Sequence, residues 1–531
     1  MPTGRCYAVG MNAVELTLFN ERLNAICDEM GLVLQRTALS PNIKDRLDFS
    51  CAIFDAGGRL SAQAAHIPVH LGSMAHAMAD LVVRFSWQPG DMVVVNDPYL
   101  GGTHLPDITV IAPVFAGAAL CGFVANRAHH ADIGAHTPGS MPIATRLEEE
   151  GIVIAPTRFM VDGAIDDSVL NAHLNILRNP ELSRGDFMAQ VSANRVGAVR
   201  LAALIAQLGA VSDYVAALAA LNEYGRRMAQ SGIGGIPNGS YVFADVMEDD
   251  GQGNSDLVIA VRLDIADGEV TADFSGTAAQ VAGNINCPLA VVAAAVYYVF
   301  RCLMPDNTPA CAGTFAPLRL HVPPGSMLNP YPGAAVAAGN VETSMRLVDV
   351  VLGALAQALP ERIPAASQGT MNNVAMGSGV GDTPVWDYYE TLAGGAGAGP
   401  KGDGASAIQL HMTNTRNTPI ESVEMHYPLR IVRYQLAPGA RPNEGHAGGH
   451  GLIREYEFLR DTQVTLLTER RRIAPWGLHG AAAGSRGENR LDGQLLPAKT
   501  SFVAKAGQRL SIQTPGGGHW REPLPSANNG S

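Results

Sequence analysis

The sequence lacks the short motifs that would point directly to a familiar enzymatic chemistry. Its 531 residues contain no G-x-x-x-x-G-K-[ST] segment, the phosphate-binding loop of many ATPases, and no G-x-S-x-G segment of the kind that carries a nucleophilic serine. The one match to G-x-G-x-x-G, at 397–402, contains Pro400 and has no clear strand before it. We interpret this Gly/Ala-rich run as a mobile loop or a loop that covers the substrate, and we expect that the chain alone does not hydrolyse ATP.

Paired cysteines are missing as well. The seven cysteines are an odd number, are widely spaced and include no C-x-x-C pair. This spacing argues against a thiolate zinc site and against a disulfide framework. The cysteines are instead expected to be reduced, buried thiols of a cytoplasmic protein.

Positive charge and long apolar segments are also scarce. With 37 Lys and Arg against 49 Asp and Glu, the formal net charge is −12, which argues against nucleic acid or an anionic membrane as a partner. The most apolar segment, 288–300, is too short to cross a bilayer, and residues 1–15 lack the apolar run of a signal peptide. These absences predict a cytoplasmic protein that acts away from membranes.

The pattern of apolar residues predicts a mixed α/β fold (α+β) with several domains and a β-rich C-terminal half. Helical spacing covers 13–39, 72–85, 212–230, 288–304 and 343–359. Strand patterns cover 51–63 (a hairpin), 92–96, 108–115, 120–126, 241–247, 257–265 and 269–275. The Gly/Pro-rich segment 231–240 separates an α/β domain, 1–232, which carries the candidate metal site, from a domain at 233–531 that forms the substrate pocket and the partner interface.

Histidine, by contrast, is concentrated in one part of the chain. Four of the 15 histidines lie between residues 104 and 136, in the segments NDPYLGGTHLPDITV (96–110) and NRAHHADIGAHTPG (126–139). Both segments adjoin predicted strands, where loops on a rigid scaffold commonly carry chemistry. Imidazole and carboxylate groups without thiolates suit Zn²⁺, Mn²⁺ or Fe²⁺. The alternative is that these histidines are loop residues or hydrogen-bonded core residues that bind nothing.

The spacing within the two segments limits how a metal would be held. His104 and Asp107 flank Pro106, which disfavours a regular helix, so a turn would bring both side chains onto one cation. His129 or His130, at the end of the next strand, would complete the site. Because side chains alternate along a strand, a His129 that faces the cation would leave His130 and Asp132 facing away together. Spacing alone does not choose between the two histidines.

Two further segments allow two interpretations each. HMTNTRNTPIESVE (411–424) is dense in amide and hydroxyl side chains and forms either a turn-rich connection or a polar pocket wall. TPGGGHW (514–520) is either an anion-binding backbone nest or a turn, and we favour the turn.

Motifs spread along nearly the whole chain resemble the hydantoinase B family. They include SPNIKDRLDFSCAIFD (40–55), HIPVHLGSM (66–74), the two histidine segments, GNVETSMRLVDVVLGAL (339–355) and HMTNTRNTPIE (411–421). This family comprises the B-type, metal-bearing subunits of ATP-dependent hydantoinases and lactamases, the matching half of 5-oxoprolinase, and a subunit of ketone carboxylases such as acetone carboxylase. Each motif is short, but their combination is highly specific.

The resemblance implies roles for individual residues. A divalent transition metal (Zn, Mn or Fe) would be held by His104, Asp107, His129 and an aspartate of the N-terminal motif, either Asp48 or Asp45. The expected proton acceptors are Asp132 and His130, with Asp97 as a third option, and the expected substrate-binding residues are Asn340, Glu342 and Asn414.

The resemblance also implies an activity that is shared between two subunits. An A-type partner of the actin-like ATPase class would bind ATP and phosphorylate a small cyclic amide, and this chain would complete the ring opening with water activated by its metal. The assembly would be a hetero-oligomer such as a heterotetramer. Two alternatives stay open: a subunit of an ATP-dependent ketone carboxylase with the same metal site, and a structural, metal-stabilised subunit without chemistry of its own. Ketone carboxylase counterparts are often longer, which favours the hydrolase.

Overall fold

The computed structural model of the protein describes residues 11–64, 66–379, 381–382, 384–439 and 442–523. The α-helices in these ranges are α1 (Ala13–Thr37), α2 (Pro41–Lys44), α3 (Pro68–Val82), α4 (Asp167–Leu174), α5 (Pro180–Leu208), α6 (Val211–Ile233), α7 (Leu289–Leu303), α8 (Ala312–Phe315), α9 (Ser344–Ala358) and α10 (Ile420–His426). A π-helical turn, Gly339–Thr343, leads directly into α9. The predicted helices are therefore confirmed, with shifts of a few residues at their ends.

Twenty strands alternate with these helices in the described ranges. They are β1 (Phe49–Asp55), β2 (Leu60–Gln63), β3 (Met92–Val95), β4 (Asp107–Ala116), β5 (Ala119–His129), β6 (Thr157–Val161), β7 (Ala164–Ile165), β8 (Gly239–Asp249), β9 (Ser255–Ala266), β10 (Glu269–Asp273), β11 (Leu318–His321), β12 (Asn373–Gly377), β13 (Asp387–Thr391), β14 (Leu429–Leu436), β15 (Leu452–Phe458), β16 (Thr462–Leu467), β17 (Glu488–Leu491), β18 (Gln494–Leu495), β19 (Lys499–Ala504) and β20 (Arg509–Gln513). The fold is of the predicted mixed α/β, multi-domain class, and its C-terminal part is rich in strands.

A seven-stranded sheet with the order β2-β1-β5-β4-β3-β6-β7 carries the two histidine segments. All of its strand pairings are antiparallel. Apolar residues cover both faces: α1, α5 and α6 pack in the core on one face, and α3 and α7 pack in the core on the other. Because both faces are buried, β4 has a nearly continuous apolar sequence instead of an alternating one.

Helix α5 was not predicted from the sequence. It is 29 residues long and lies against β4 and β5. The side-chain amides of Gln190 and Asn194, one helical turn apart, donate hydrogen bonds to the carbonyl oxygens of Ile108 and Val110 in β4 (2.8 and 2.9 Å). The stripe of α5 that faces the sheet is therefore partly polar.

Three smaller sheets form the rest of the molecule. Their strand orders are β11-β10-β9-β8, β13-β12-β16-β19 and β14-β15-β20-β17-β18. One hydrophobic core contains residues from both sides of the predicted 232/233 boundary, including Phe54 and Phe123 on one side and Leu263 and Val350 on the other. The division into 1–232 and 233–531 remains a prediction.

The Gly-rich segment at 394–398 is packed between other backbone segments. Gly395 N donates a hydrogen bond to Pro515 O and Ala398 N donates one to Gly518 O. A Cβ atom built on Gly395 would lie 2.0 Å from Gly449 O. The glycines of this segment therefore allow close contact between backbones, and the interpretation of the match at 397–402 as a mobile or substrate-covering loop stays a prediction.

Two expectations about cysteines and membranes can be compared with the described residues. The six cysteines among them, Cys27, Cys51, Cys121, Cys287, Cys302 and Cys311, are free thiols, and all but Cys302 are buried. Taken singly, none of the described helices has both the length and the apolar character needed to cross a membrane. The pair α5 and α6 meets these two criteria together but is bent by 101° at its break.

Candidate metal centre

The antiparallel order of three strands brings the predicted ligands to one edge of the large sheet. Asp107 is the first residue of β4 and His129 is the last residue of β5, and the two are direct partners in the register of this pair. Asp48 immediately precedes β1, which pairs with the other side of β5. The His129 N–H donates a hydrogen bond to Asp48 O at 3.0 Å. The start of β1, the end of β5 and the start of β4 therefore meet.

A tight turn adds His104 to this edge. The Asp107 N–H donates to His104 O at 3.1 Å, which closes the turn around Pro106 as the sequence predicts. His104 Nε2 lies 3.3 Å from Asp107 Oδ2, and His129 Nδ1 lies 3.2 Å from Asp107 Oδ1. The potential ligand atoms of the three residues all lie within 4.8 Å of one another. His104, Asp107 and His129 thus form a buried group with the geometry of a metal-binding triad.

His70 also reaches this group, although the sequence did not single it out. It lies in the first turn of α3, whose N-terminus is set by Pro68. Its Nε2 lies 3.1 Å from Asp107 Oδ2 and 4.0 Å from Asp48 Oδ1. The only sequence signal for His70 is its place in HIPVHLGSM, one of the segments that carry the family resemblance.

The surroundings keep Asp107 ionised. Burial alone would raise the pKa of Asp107, but the neighbouring imidazoles of His104 and His70, together with the hydrogen bond from His129, hold this pKa well below its usual range. The Thr103 hydroxyl also donates a hydrogen bond to Asp107 Oδ2. A buried carboxylate surrounded by donors and imidazoles supplies the negative charge that a divalent cation requires.

The imidazoles fit a cation better than they fit a purely structural role. His104 Nδ1, His104 Nε2 and His129 Nε2 are buried and have no hydrogen-bond partner within the described ranges. Burial lowers the pKa of His129, although Asp107 opposes this effect, so its ring remains neutral and keeps a lone pair for a ligand. Buried polar atoms without partners are uncommon, and bound metal would satisfy these nitrogens.

One cavity is lined by the triad, and a second, larger cavity shares two chain segments with it. The smaller one, about 20 Å³, is lined by Asp48, Ile67, Val69, His70, His104, Asp107, His129, Asn340, Val341, Met371, Tyr389, Thr391, Met412 and Thr413. The larger one, about 370 Å³, is lined by Gln63, Ala64, His66, Pro68, Gly72, Ala294, Tyr297, Tyr298, Arg301, Ala310, Phe315 and Asn414. The segments 66–72 and 412–414 contribute residues to both, so they form a thin wall between the two cavities.

The expected proton acceptors lie away from the small cavity. His130 Nε2 is 3.0 Å from Gln190 Oε1 of α5, and its ring packs against Phe187. Asp132 accepts hydrogen bonds from the backbone N–H groups of Gly134 and Arg178 (2.8 and 2.5 Å). Alternation along β5 thus directs His130 to the helix-covered face, as expected once His129 faces Asp107.

Some of the other expected site residues line the small cavity and others do not. Asp48, and not Asp45, lines the small cavity. Asn340 lines it as well, with its Nδ2 3.5 Å from Asp107 Oδ2, whereas Asn414 lines the larger cavity. Glu342 is buried behind the site, where its Oε1 accepts hydrogen bonds from Met371 N and Asn373 Nδ2 (3.1 and 2.7 Å).

Two remaining residues do not contact the triad. Asp97 accepts a hydrogen bond from Tyr99 N at 2.9 Å and begins a 3₁₀ turn. His136 is exposed in the loop after β5. Neither residue lines the small cavity.

Known proteins resemble this chain over nearly its whole length. The 5-oxoprolinase 1 of Arabidopsis thaliana is 40% identical over 96% of this chain, which spans only 42% of the plant protein. A putative D-/L-hydantoinase component of the B type from Pseudomonas sp. (strain NS671) is 32% identical over 94% of this chain and 88% of that protein.

Two solved structures have the same fold. The ATP-dependent caprolactamase from Pseudomonas jessenii matches with a TM-score of 0.88 and 26% identity over 97% of this chain and 93% of its own. An acetone carboxylase matches with a TM-score of 0.84 over 97% of this chain and 76% of its own, at 17% identity, and this likeness shows the fold alone. The sequence profile described as Hydantoinase B/oxoprolinase spans residues 12–523, which include every strand and helix around the triad, and the chain therefore belongs to the hydantoinase B/oxoprolinase family.

Proposed function

We propose that this chain is the metal-dependent subunit of an ATP-dependent cyclic-amide hydrolase of the hydantoinase, oxoprolinase or lactamase type. The observation that carries the proposal is the buried group of His104, Asp107 and His129, in which three of the four ring nitrogens have no hydrogen-bond partner within the described ranges. The names of the relatives support the substrate class, because 5-oxoproline, hydantoins and caprolactam are all cyclic amides.

Different residues of the centre would bind the metal and the substrate. A divalent ion held by His104, Asp107 and His129 would act as a Lewis acid toward the amide oxygen and lower the pKa of a bound water. The buried Oδ1 of Asn340 has no partner within the described residues and would accept a hydrogen bond from the ring N–H. Asn414, in the wall of the larger cavity, would contact the part of the ring that extends from the metal.

Proton transfer requires a group that reaches the reacting atoms. Asp48 and His70 line the small cavity and have this access directly. The assignment of His130 and Asp132 remains a proposal, and from their positions they would act through β5 and α5 and not by contact with the substrate. Glu342, which lies behind the cavity, would likewise act through its neighbours.

The ATP-dependent step would belong to an A-type partner in a cytoplasmic hetero-oligomer. An unstrained amide ring is a poor electrophile, and phosphorylation of its oxygen would make the ring carbon susceptible to attack. This chain has no P-loop sequence for that step. The division is supported by the Pseudomonas sp. relative, which is itself one component of a hydantoinase, and by the ATP dependence of the caprolactamase.

The test measures ADP and product from the same reaction. The chain is purified with its A-type partner, and a panel of hydantoins, lactams and ketones is supplied with ATP. We expect about one ADP per ring-opened product with one of the cyclic amides. An Asp107→Ala complex should assemble but release ADP in excess of product, because the phosphorylated intermediate decays without the metal-assisted step. His136→Ala, an exposed histidine outside the site, is the matched control.

Two other results of this experiment would each support a different function. A carboxylated ketone would identify the carboxylase alternative. Unchanged rates of ADP and product formation in the Asp107→Ala complex would indicate a structural role for this chain.

A further inference from the structure

We propose that Tyr389 is a positioning residue of the metal centre, whose ring fixes the plane of the His129 imidazole and thereby strengthens metal binding. The inference rests on the proposed metal dependence. The rings of Tyr389 and His129 are stacked, with centroids 4.8 Å apart and planes inclined by 12°. Tyr389 lies in β13, far from His129 along the chain and in a different sheet.

The hydrogen bonds of His129 leave its ring plane undetermined. His129 Nδ1 lies at a hydrogen-bond distance of 3.2 Å from Asp107 Oδ1, and His129 Nε2 has no hydrogen-bond partner in the described structure. A single hydrogen bond allows the ring to tilt about the line between these two atoms. The lone pair of either ring nitrogen lies in the ring plane, so a tilt would move it away from a cation. The nearly parallel Tyr389 ring restricts this tilt.

Tyr389 is itself held at several points. Its hydroxyl donates a hydrogen bond to Asn373 Oδ1 at 2.6 Å, and Asn373 Nδ2 donates to Glu342 Oε1 at 2.7 Å. The Arg46 guanidinium carbon lies 4.9 Å from the centroid of the Tyr389 ring, and Arg46 Nη1 donates to Tyr389 O at 3.1 Å. The ring is therefore a rigid surface for His129.

This arrangement also gives a physical role to Glu342. Its carboxylate does not line the small cavity, but it holds Asn373, which holds the Tyr389 hydroxyl. Residues that orient metal ligands in this way commonly change metal affinity by about 10–100-fold when they are replaced. The Tyr389 ring and the Tyr389 hydroxyl would contribute separately to metal affinity, and two substitutions distinguish their contributions.

The experiment compares metal affinity in three variants of the full chain. Tyr389→Leu removes the stacked ring, Tyr389→Phe keeps the ring and removes the hydroxyl, and Tyr388→Leu is the matched control. Tyr388 is the adjacent residue of β13, is equally buried, and packs on the other side against Tyr427 with centroids 5.1 Å apart. Zn²⁺ affinity is measured by competition with a chromophoric chelator, and the visible spectrum of bound Co²⁺ reports the ligand geometry.

We expect Tyr389→Leu to weaken Zn²⁺ binding by about 10-fold or more and to alter the Co²⁺ spectrum. Tyr389→Phe should stay within about 3-fold of the unmodified chain, because the stacking ring remains. Tyr388→Leu should lower the melting temperature of the metal-free chain as much as Tyr389→Leu does, yet leave Zn²⁺ affinity unchanged.

Two results would overturn the inference: an unchanged Zn²⁺ affinity in Tyr389→Leu, or an equal loss of affinity in Tyr388→Leu. If Tyr389→Leu does not fold, Tyr389→Met replaces it and Tyr388→Met becomes its control: weaker Zn²⁺ binding in Tyr389→Met alone would support the inference, and equal Zn²⁺ affinities in the two variants would overturn it. An unmodified chain that binds no Zn²⁺, Mn²⁺ or Fe²⁺ would instead refute the proposed function.

Discussion

At the scale of single residues, His70 has a position that only the fold reveals. Its Nε2 faces both Asp107 and Asp48, and its Nδ1 lies 3.4 Å from Ser50 Oγ. We expect His70→Ala to weaken Zn²⁺ binding by about 10-fold or more, because the substitution removes a group that orients two carboxylates. Calorimetric titration of the metal-free chain measures this effect. His76→Ala, on the exposed side of the same helix, should bind Zn²⁺ normally, and equal affinities in both variants would reduce His70 to a packing residue.

Some of these site residues could be predicted from the sequence and others could not. His104, Asp107 and His129 lie in two short segments that concentrate histidine and aspartate, so their chemistry was visible from composition. Spacing left His129 and His130 as alternatives, the family resemblance chose His129, and the register of β4 and β5 places His129 opposite Asp107. His70 and Tyr389 each come from a distant element, and periodicity contains no information about such contacts.

At the scale of elements, glycines in the 394–399 segment are expected to differ sharply in their tolerance of a side chain. A Cβ on Gly395 would lie 2.0 Å from Gly449 O and 2.4 Å from Gly517 N, both of them backbone atoms. A Cβ on Gly399 would meet nothing closer than 3.7 Å, at Pro364. Gly395→Ala should therefore destabilise the protein by about 1–3 kcal/mol or more, and Gly399→Ala by less than about 0.5 kcal/mol. Urea unfolding measures both, and similar midpoints would show that the backbones adjust freely.

Helix α5 shows why one long helix escaped prediction while helices of similar length did not. Helices α1 and α6 present apolar side chains at helical spacing toward the core, so their pattern is visible in the sequence. The sheet-facing stripe of α5 contains Asp186, Gln190 and Asn194, four residues apart, and these polar side chains interrupt that pattern. Gln190 and Asn194 bond to carbonyl oxygens of β4, and Asp186 accepts hydrogen bonds from Leu39 N and Ser40 N.

At the scale of the whole molecule, the sequence predicted the class of fold but not the pairing of its strands. Local patterns located the helices of 15 residues or more, except α5, and the strands up to β10, except β6 and β7, because each of these depends on neighbouring residues. The sheet orders join elements that are far apart, such as β12 with β16 and β16 with β19. The same long-range packing places Phe54 and Val350 in one hydrophobic core, which no local composition shift reveals.

A buried ion network offers a way to test whether this shared core makes unfolding cooperative. Glu469 lies 3.2 Å from Arg346 of α9 and 2.6 Å from Lys499 of β19, and all three side chains are fully buried. Removal of one member of a buried network leaves charges without partners and commonly costs about 3–5 kcal/mol. Glu469→Ala should therefore lower the unfolding temperature strongly. Asp461→Ala, which removes an exposed partner of Lys505, should change it little.

If the shared core couples the two predicted domains, the effect of Glu469→Ala should reach the large sheet. We expect one calorimetric transition that moves as a whole to lower temperature. Hydrogen exchange of the buried amides in β4 and β5, which are far from Glu469 in the sequence, should become faster by the factor that corresponds to the measured loss of stability. A second transition that keeps its temperature, together with unchanged exchange in β4 and β5, would show instead that the 1–232 and 233–531 parts unfold independently. In that case the hydrophobic cluster that contains Phe54 and Val350 would include an interface between two separate cores, and the predicted boundary would be supported.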